Sequence, residues 1–269
     1  MAGRLVLGMW LPVLSSLCRS LHTQASLHLI SVTPGTTTRD RILIPRLQLP
    51  GYSGTSVLTP PDFPRGRRGS RSELSDADRP PNEGQLSNLP GVTAYLTGHD
   101  NSSGKAIVQS ARPGSWQSFD KGDMAFNVIY TTSEFPASLN DDVDIAKHDA
   151  LVSSDKLGLV SPGGTVCRQV DFAPGYDCMM HRTQSLDFGI VLEGEVEMVL
   201  DSGETQLMKR GDVAVQRATM HAWRNPSKTE WCRMIFVLQD CQKVVLGGQA
   251  LGEDLGRGTE GLPPSGNDS

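Results

Sequence analysis

Residues Met180–Gly203 read MHRTQSLDFGIVLEGEVEMVLDSG. Two apolar runs, DFGIVL and EVEMVL, flank Glu193-Gly194, which is a tight connection. In the second run Val196, Met198 and Leu200 fall on one side and Glu195 and Glu197 on the other. A period of two is the mark of a strand with one buried face. Asp201-Ser202-Gly203 is a hairpin turn into TQLMK. Working outward, TVCRQVDF precedes an Ala173-Pro174-Gly175 turn, and DVAVQ and CRMIFVLQ follow. About six short strands at intervals of roughly ten residues predict an all-β sandwich or small barrel. No internal repeat is present, so one barrel is expected rather than a tandem pair.

Upstream, VTAYLTGHD, from Val92, reads as an edge strand with KAIVQS as its hairpin partner, and MAFNVIYTTS as a further strand. After Pro136, SLNDDVDIAKHDALVSS predicts one helix of about 12 residues. Asn140 is its candidate cap, Asp141 and Asp142 suit its N-terminus, and Val143, Ile145, Ala146, Ala150 and Leu151 can share a face. Residues 1–90 have little to bury: Pro60–Pro90 reads as disordered linker and residues 251–269 as a flexible tail. The ordered domain is expected over residues 91–250.

The 269-residue chain has a formal net charge of -5, which gives no basis for nucleic-acid binding. Its only basic cluster, Arg65 to Arg71, lies in the linker. Five cysteines without a CxxC pair argue against a disulfide framework or a zinc knuckle. The apolar run from Leu5 to Leu17 is short for a membrane span. It has the length of a signal-peptide core but no clean cleavage site, and the acid-free stretch up to Arg39 also suits a mitochondrial presequence. Cytoplasmic function is the expectation, with mitochondrial or secreted placement as alternatives.

The chemistry-bearing residues lie in and after the opening stretch. His181 and Thr183, one residue apart, face the same side of a strand. Asp187 sits on the next strand, and His221 comes from a strand able to close a barrel opposite. Three inward nitrogen or oxygen donors on a rigid β-scaffold suit a divalent iron, manganese or zinc ion. Trp223 and Phe188 are candidates to line a pocket for a flat aromatic substrate, and Arg217 to meet its carboxylate or phenolate. Met179, Met180 and Met198 read as core, and His99 and His148 as structural.

By spacing, Gly175 is followed by five residues and His181, one residue and Thr183, three residues and Asp187, six residues and Gly194; later come Gly211-Asp212, His221, three residues and Asn225. This pattern resembles the cupin superfamily, with its motifs G-x5-H-x-H-x3-E-x6-G and H-x3-N. The resemblance is clearest over Thr165–Leu238 and extends from about Tyr95 to Gly261. The phrases MHRTQSLDFGIVLEGEVEMVLDSG and KRGDVAVQRATMHAWRN are similar to a single-domain branch frequent in fungal polyketide gene clusters and described there as cupin-domain oxidoreductases.

The resemblance implies a single cupin (double-stranded β-helix or jelly-roll) barrel with one added helix, no stable membrane span, and a small-molecule substrate; it allows a homodimer. It also implies His181, Asp187 and His221 as catalytic and metal-binding residues; Thr183, Arg217 and Trp223 are the candidate substrate contacts on the reading of the residues themselves. The chain departs from the pattern in three places. Thr183 stands where the family has a second histidine and Asp187 where it has glutamate. Gln216-Arg217-Ala218 replaces the usual proline and glycine, and the Gly211-to-His221 spacing is one residue short. What remains is the two-histidine, one-carboxylate set of non-haem iron sites. Asn225 is expected to satisfy the turn that orients His221. An oxidoreductase of a polyketide-derived intermediate is the leading expectation. The alternatives are a lyase (decarboxylase, dehydratase or aromatising cyclase), with a metal or with Asp187 orienting a histidine as acid or base, and a ligand-binding barrel.

Overall fold

A computed structural model describes residues 79–267. The leading apolar run, the possible presequence and the basic cluster lie outside the described residues. Thirteen strands and one helix follow in order: β1 (Thr93–His99), β2 (Ala106–Pro113), β3 (Trp116–Phe119), β4 (Met124–Thr132), α1 (Val143–Val152), β5 (Thr165–Phe172), β6 (Ser185–Glu193), β7 (Glu195–Leu200), β8 (Thr205–Lys209), β9 (Val213–Arg217), β10 (His221–Arg224), β11 (Cys232–Asp240), β12 (Val244–Leu246) and β13 (Gln249–Leu251). The all-β class with one helix, expected from the alternating pattern, is the observed one.

The barrel has two walls. One is a six-stranded antiparallel sheet in the order β3-β4-β5-β11-β6-β9, and the other a three-stranded sheet, β10-β7-β8. Strands β1 and β2 form a separate hairpin, as do β12 and β13. Alternation explains what each strand buries: Val166, Val170 and Phe172 on β5, Val191 on β6, Val196 on β7 and Met234, Phe236 and Leu238 on β11 meet in one core. The Glu193-Gly194 connection works because Gly194 takes a φ of 74°, and a Cβ there would approach that of Cys232 to 3.0 Å. Gly189 lets Phe236 lie against β6, since a Cβ would stand 2.9 Å from its ring.

The expected strands are found, the one carrying His221 being β10; β3, β12 and β13 carry no clear signal because each is four residues or shorter. The helix begins at Val143 after a single 3-10 turn, with Asp142 at its N-cap and no side-chain cap bond, so Asn140 does not cap it. Its one buried residue is His148, whose Nδ1 accepts from Thr131 N–H at 3.1 Å and whose ring stacks on Tyr130.

Two segments read as loose from sequence are packed. Ser87 is buried and donates to Asp171, which also receives Arg233, so residues 79–91 cover the outer face of the large sheet. Toward the C-terminus, Ser265 Oγ accepts from Val160 N–H and Asn267 donates to Gln184 O and Asp240. That ties residues 251–267 across the barrel end, with Leu255 and Leu262 against the core. The described cysteines Cys167, Cys178, Cys232 and Cys241 are unpaired. No helix among the described residues is long and apolar enough to cross a membrane.

Candidate functional site

Between the two walls lies a cavity of about 60 Å³. Phe126, Val170, Phe172, Trp223, Phe236 and Leu238 supply its apolar walls, and His181, Thr183, Asp187, His221 and Arg168 its polar groups. The space holds a few waters or one small ligand group. A larger ligand requires the flexible Met124 and Met179 side chains, both in the lining, to swing aside.

The histidines are fixed by main chain on both sides. His181 N–H donates to His221 O at 2.8 Å and His221 N–H to His181 O at 2.9 Å, an antiparallel bridge that sets the rings 4.4 Å apart, centroid to centroid. His181 Nδ1 lies 2.9 Å from Met179 O, and His221 Nδ1 2.9 Å from Thr219 O. A carbonyl only accepts, so each Nδ1 carries the hydrogen and each Nε2 keeps a lone pair. Burial holds both imidazoles neutral. His221 is pushed down to about 3 by burial and then by the neighbouring His181, and His181 is lowered by burial.

Asp187 projects from β6 and is 3% exposed. Thr183 Oγ1 donates to its Oδ2 at 3.3 Å, and Ser185 Oγ donates to Thr183 Oγ1 at 2.8 Å. Its other oxygen, Oδ1, is buried with no partner. Burial raises this carboxyl to about 6, against the lowering pull of the Ser185 and Thr183 hydroxyls and the Arg168 charge.

The predicted metal set meets this geometry only in part. His181 and His221 offer two free nitrogens with carbonyls behind them, as metal-binding histidines do. Yet among the described residues no three His, Cys, Asp or Glu side chains come together closely enough to hold one ion. Asp187 turns to Thr183, and the hydroxyl of Thr183 occupies the position where the family pattern places an imidazole. A two-histidine, one-carboxylate centre therefore does not fit. The expectation that Asp187 orients a histidine is also corrected: backbone carbonyls do that work.

Of the expected substrate contacts, Thr183 and Trp223 line the cavity. Arg217 does not. On β9 it alternates with Ala214 and Gln216, which point inward, so its side chain faces out and is exposed. Phe188 likewise faces away, 39% exposed. Met179, read as core, forms part of the wall. Asn225 holds a turn, but not the one that aims His221: its Nδ2 donates to the carbonyls of Phe172, Ala173 and Glu230, tying the end of β5 to the loop beyond β10, while Thr219 O aims the ring. Cys178 also lines the cavity, but burial pushes its thiol up to about 12, and its Sγ accepts from Trp223 N–H, so it is no nucleophile. The residue that sequence reasoning missed is Arg168. Its signal is present, since Val166, Arg168, Val170 and Phe172 share one face of β5.

Residues 168–238 match the family described as Cupin domain. The phomopsin biosynthesis cluster protein D of Diaporthe leptostromiformis is 41% identical over 174 residues, which are 64% of this chain and 91% of that protein. The oryzines biosynthesis cluster protein J of Aspergillus oryzae is 42% identical over 170 residues, 62% and 93% of the two chains. The cupin-domain-containing oxidoreductase fogC of Aspergillus ruber is 38% identical over 174 residues, 64% and 83% of the two chains. The chain belongs to the cupins, in the group of cupin-domain proteins found in fungal biosynthesis clusters.

Proposed function

We propose that this cupin is a biosynthetic enzyme that binds one small oxygenated molecule in its barrel and moves a proton on it. The observation that carries the reading is the acceptor set: two neutral imidazoles presenting Nε2 lone pairs and a carboxylate oxygen without a partner, all lining one apolar cavity. Such a set recognises hydroxyl or acidic C–H hydrogens. Asp187, at about 6, lies nearest neutrality and is the group suited to accept and return a proton, with Oδ1 free for the purpose. Thr183 steadies its other oxygen. The imidazoles accept hydrogen bonds from substrate hydroxyls and fix its orientation. Thr183, Asp187 and His221 are buried, so each contact is stronger than in solvent. Dehydration, decarboxylation and aromatising cyclisation are reactions of this kind.

The second reading is an oxidoreductase acting on a polyketide-derived intermediate. Similarity to fogC, a cupin-domain-containing oxidoreductase, favours it. Among the described residues the three predicted metal ligands do not assemble.

Turnover of a candidate cluster intermediate, assayed with and without oxygen, separates the readings. The proton-transfer reading expects equal rates and solvent deuterium in the product. A strict need for oxygen or a redox partner would replace it with the second.

A further inference from the structure

The large sheet buries two arginines, one on each face. On the outer face Arg233 is fully matched, with Nε and Nη2 at 2.6 and 2.8 Å from the two Asp171 oxygens and Nη1 on Pro90 O. On the inner face Arg168 is buried as deeply, 2% exposed, and has no such partner. Its Nη2 donates to Gly158 O at 2.6 Å and Leu159 O at 2.8 Å, which fixes the guanidinium in place. Its Nε is buried with no acceptor, and among the described residues no carboxylate forms an ion pair with it. Phe126 packs against the guanidinium, whose carbon stands 5.1 Å from the ring centroid.

A buried cation with an idle donor is strongly unfavourable unless something completes it. Asp187 is the nearest anion in the cavity lining, but it lies across β11: Arg168 registers with Phe236, and Asp187 with Leu238 two residues on. Their backbones lie two strand spacings apart, about 10 Å across the sheet, and two residues apart along it; the Asp187 charge acts on the guanidinium, but among the described residues the two form no ion pair.

We infer that Arg168 is the anion-recognising residue of the cavity and that the substrate carries a carboxylate, phenolate or enolate, held by the guanidinium with its reacting part toward His181, His221 and Asp187. This deepens the proposed function and rests on it for the orientation of the ligand. The anion arrives as the complement that the fold leaves out, in the role the sequence had assigned to Arg217. Phe126, against the guanidinium, and Val170, Phe172 and Phe236, elsewhere in the cavity lining, suit an aromatic or unsaturated body behind the acid group. Burial lowers the guanidinium only to about 10, so it stays cationic at neutral pH.

The test compares benzoate with benzamide, its neutral counterpart of the same shape, by titration calorimetry on the full chain. The resonance of the Arg168 Nε–H is followed in parallel. Benzoate is expected to bind about tenfold or more tightly than benzamide and to shift that resonance downfield. Arg168→Met should abolish the preference. Equal binding of the two probes, no saturable benzoate binding, or a preference that survives Arg168→Met overturns the inference. If Arg168→Met fails to fold, the wild-type comparison and the Nε–H shift decide. Asp187→Asn keeps the two proposals distinct. If it leaves both turnover and the benzoate preference intact, the proton-transfer reading fails while the anion site stands.

Discussion

His181 and His221 hold each other by paired main-chain hydrogen bonds of 2.8 and 2.9 Å, so their rings share the cavity without either side chain anchoring the other. Each ring is aimed instead by a carbonyl two residues before it, Met179 O and Thr219 O. The bridge is backbone, and it survives side-chain substitution.

His221→Gln should therefore fold with a thermal midpoint near that of the wild type and still lose turnover, by about 100-fold or more. The measurement is kcat/KM beside a melting curve. Loss of folding together with activity would show that the ring serves the core alone.

Asp187→Asn should remove turnover, and the wild-type pH profile should show why. The carboxyl, raised to about 6 by burial, acts as base only when ionised. The expected kcat/KM is level above pH 7 and falls tenfold per unit below about 6. A flat profile down to pH 5 would show that this carboxylate is not the proton acceptor.

Stability should follow the signs of the same shifts. His221 is depressed from 6.5 to about 3, so it contributes stability above pH 6.5 that is lost as pH falls. His181 acts in the same direction. Asp187 is raised from 3.8 to about 6, so its contribution is present at low pH and is lost as pH rises through 6. Between pH 6 and 4 it opposes the histidines, at up to about 1.4 kcal/mol per pH unit for each group. Denaturant unfolding of Asp187→Asn should thus lose stability over that interval more steeply than wild type. An equal slope would mean that the carboxyl is not shifted.

Ala218 precedes the Thr219 carbonyl that aims His221, and it sits at φ 52°, where glycine is favoured. Ala218→Gly should stabilise the fold by about 0.5–1 kcal/mol, the relief of left-handed strain less the added chain entropy. Urea unfolding measures it. A destabilisation would show that the turn accommodates the methyl without strain and uses its packing.

Chelation should leave activity unchanged, because among the described residues no third ligand stands beside the two histidine nitrogens. Elemental analysis finding one tightly held ion per chain, with its removal abolishing turnover, would require Asp187 to leave Thr183 and join the histidines.

The barrel was legible in the sequence because its strands obey their period. Val196 is fully buried while its neighbour Glu195 is exposed, as EVEMVL demands. Asp187 follows the same rule on β6, whereas His181 and Thr183 lie before that strand, His181 in an isolated bridge to His221, and still line the one cavity. The rule fails at β9, where Val213 and Val215 are each 53% exposed and small or polar Ala214 and Gln216 turn inward, which leaves Arg217 outside. Arg168, between Cys167 and Gln169, shares the parity of Val166 and Val170, which places it inside. Whether three ligand types converge on one ion depends on side-chain rotamers and on the partner that Asp187 selects, which spacing does not encode.

The most direct test of the site is nitrogen NMR of the histidine rings in the free protein. Both His181 and His221 should appear as neutral rings protonated at Nδ1, with Nε2 bare, and His221 should remain so from pH 7 to pH 5. A protonated Nε2 on either ring at pH 7, or titration of His221 near its ordinary value, would contradict the acceptor set on which the account stands.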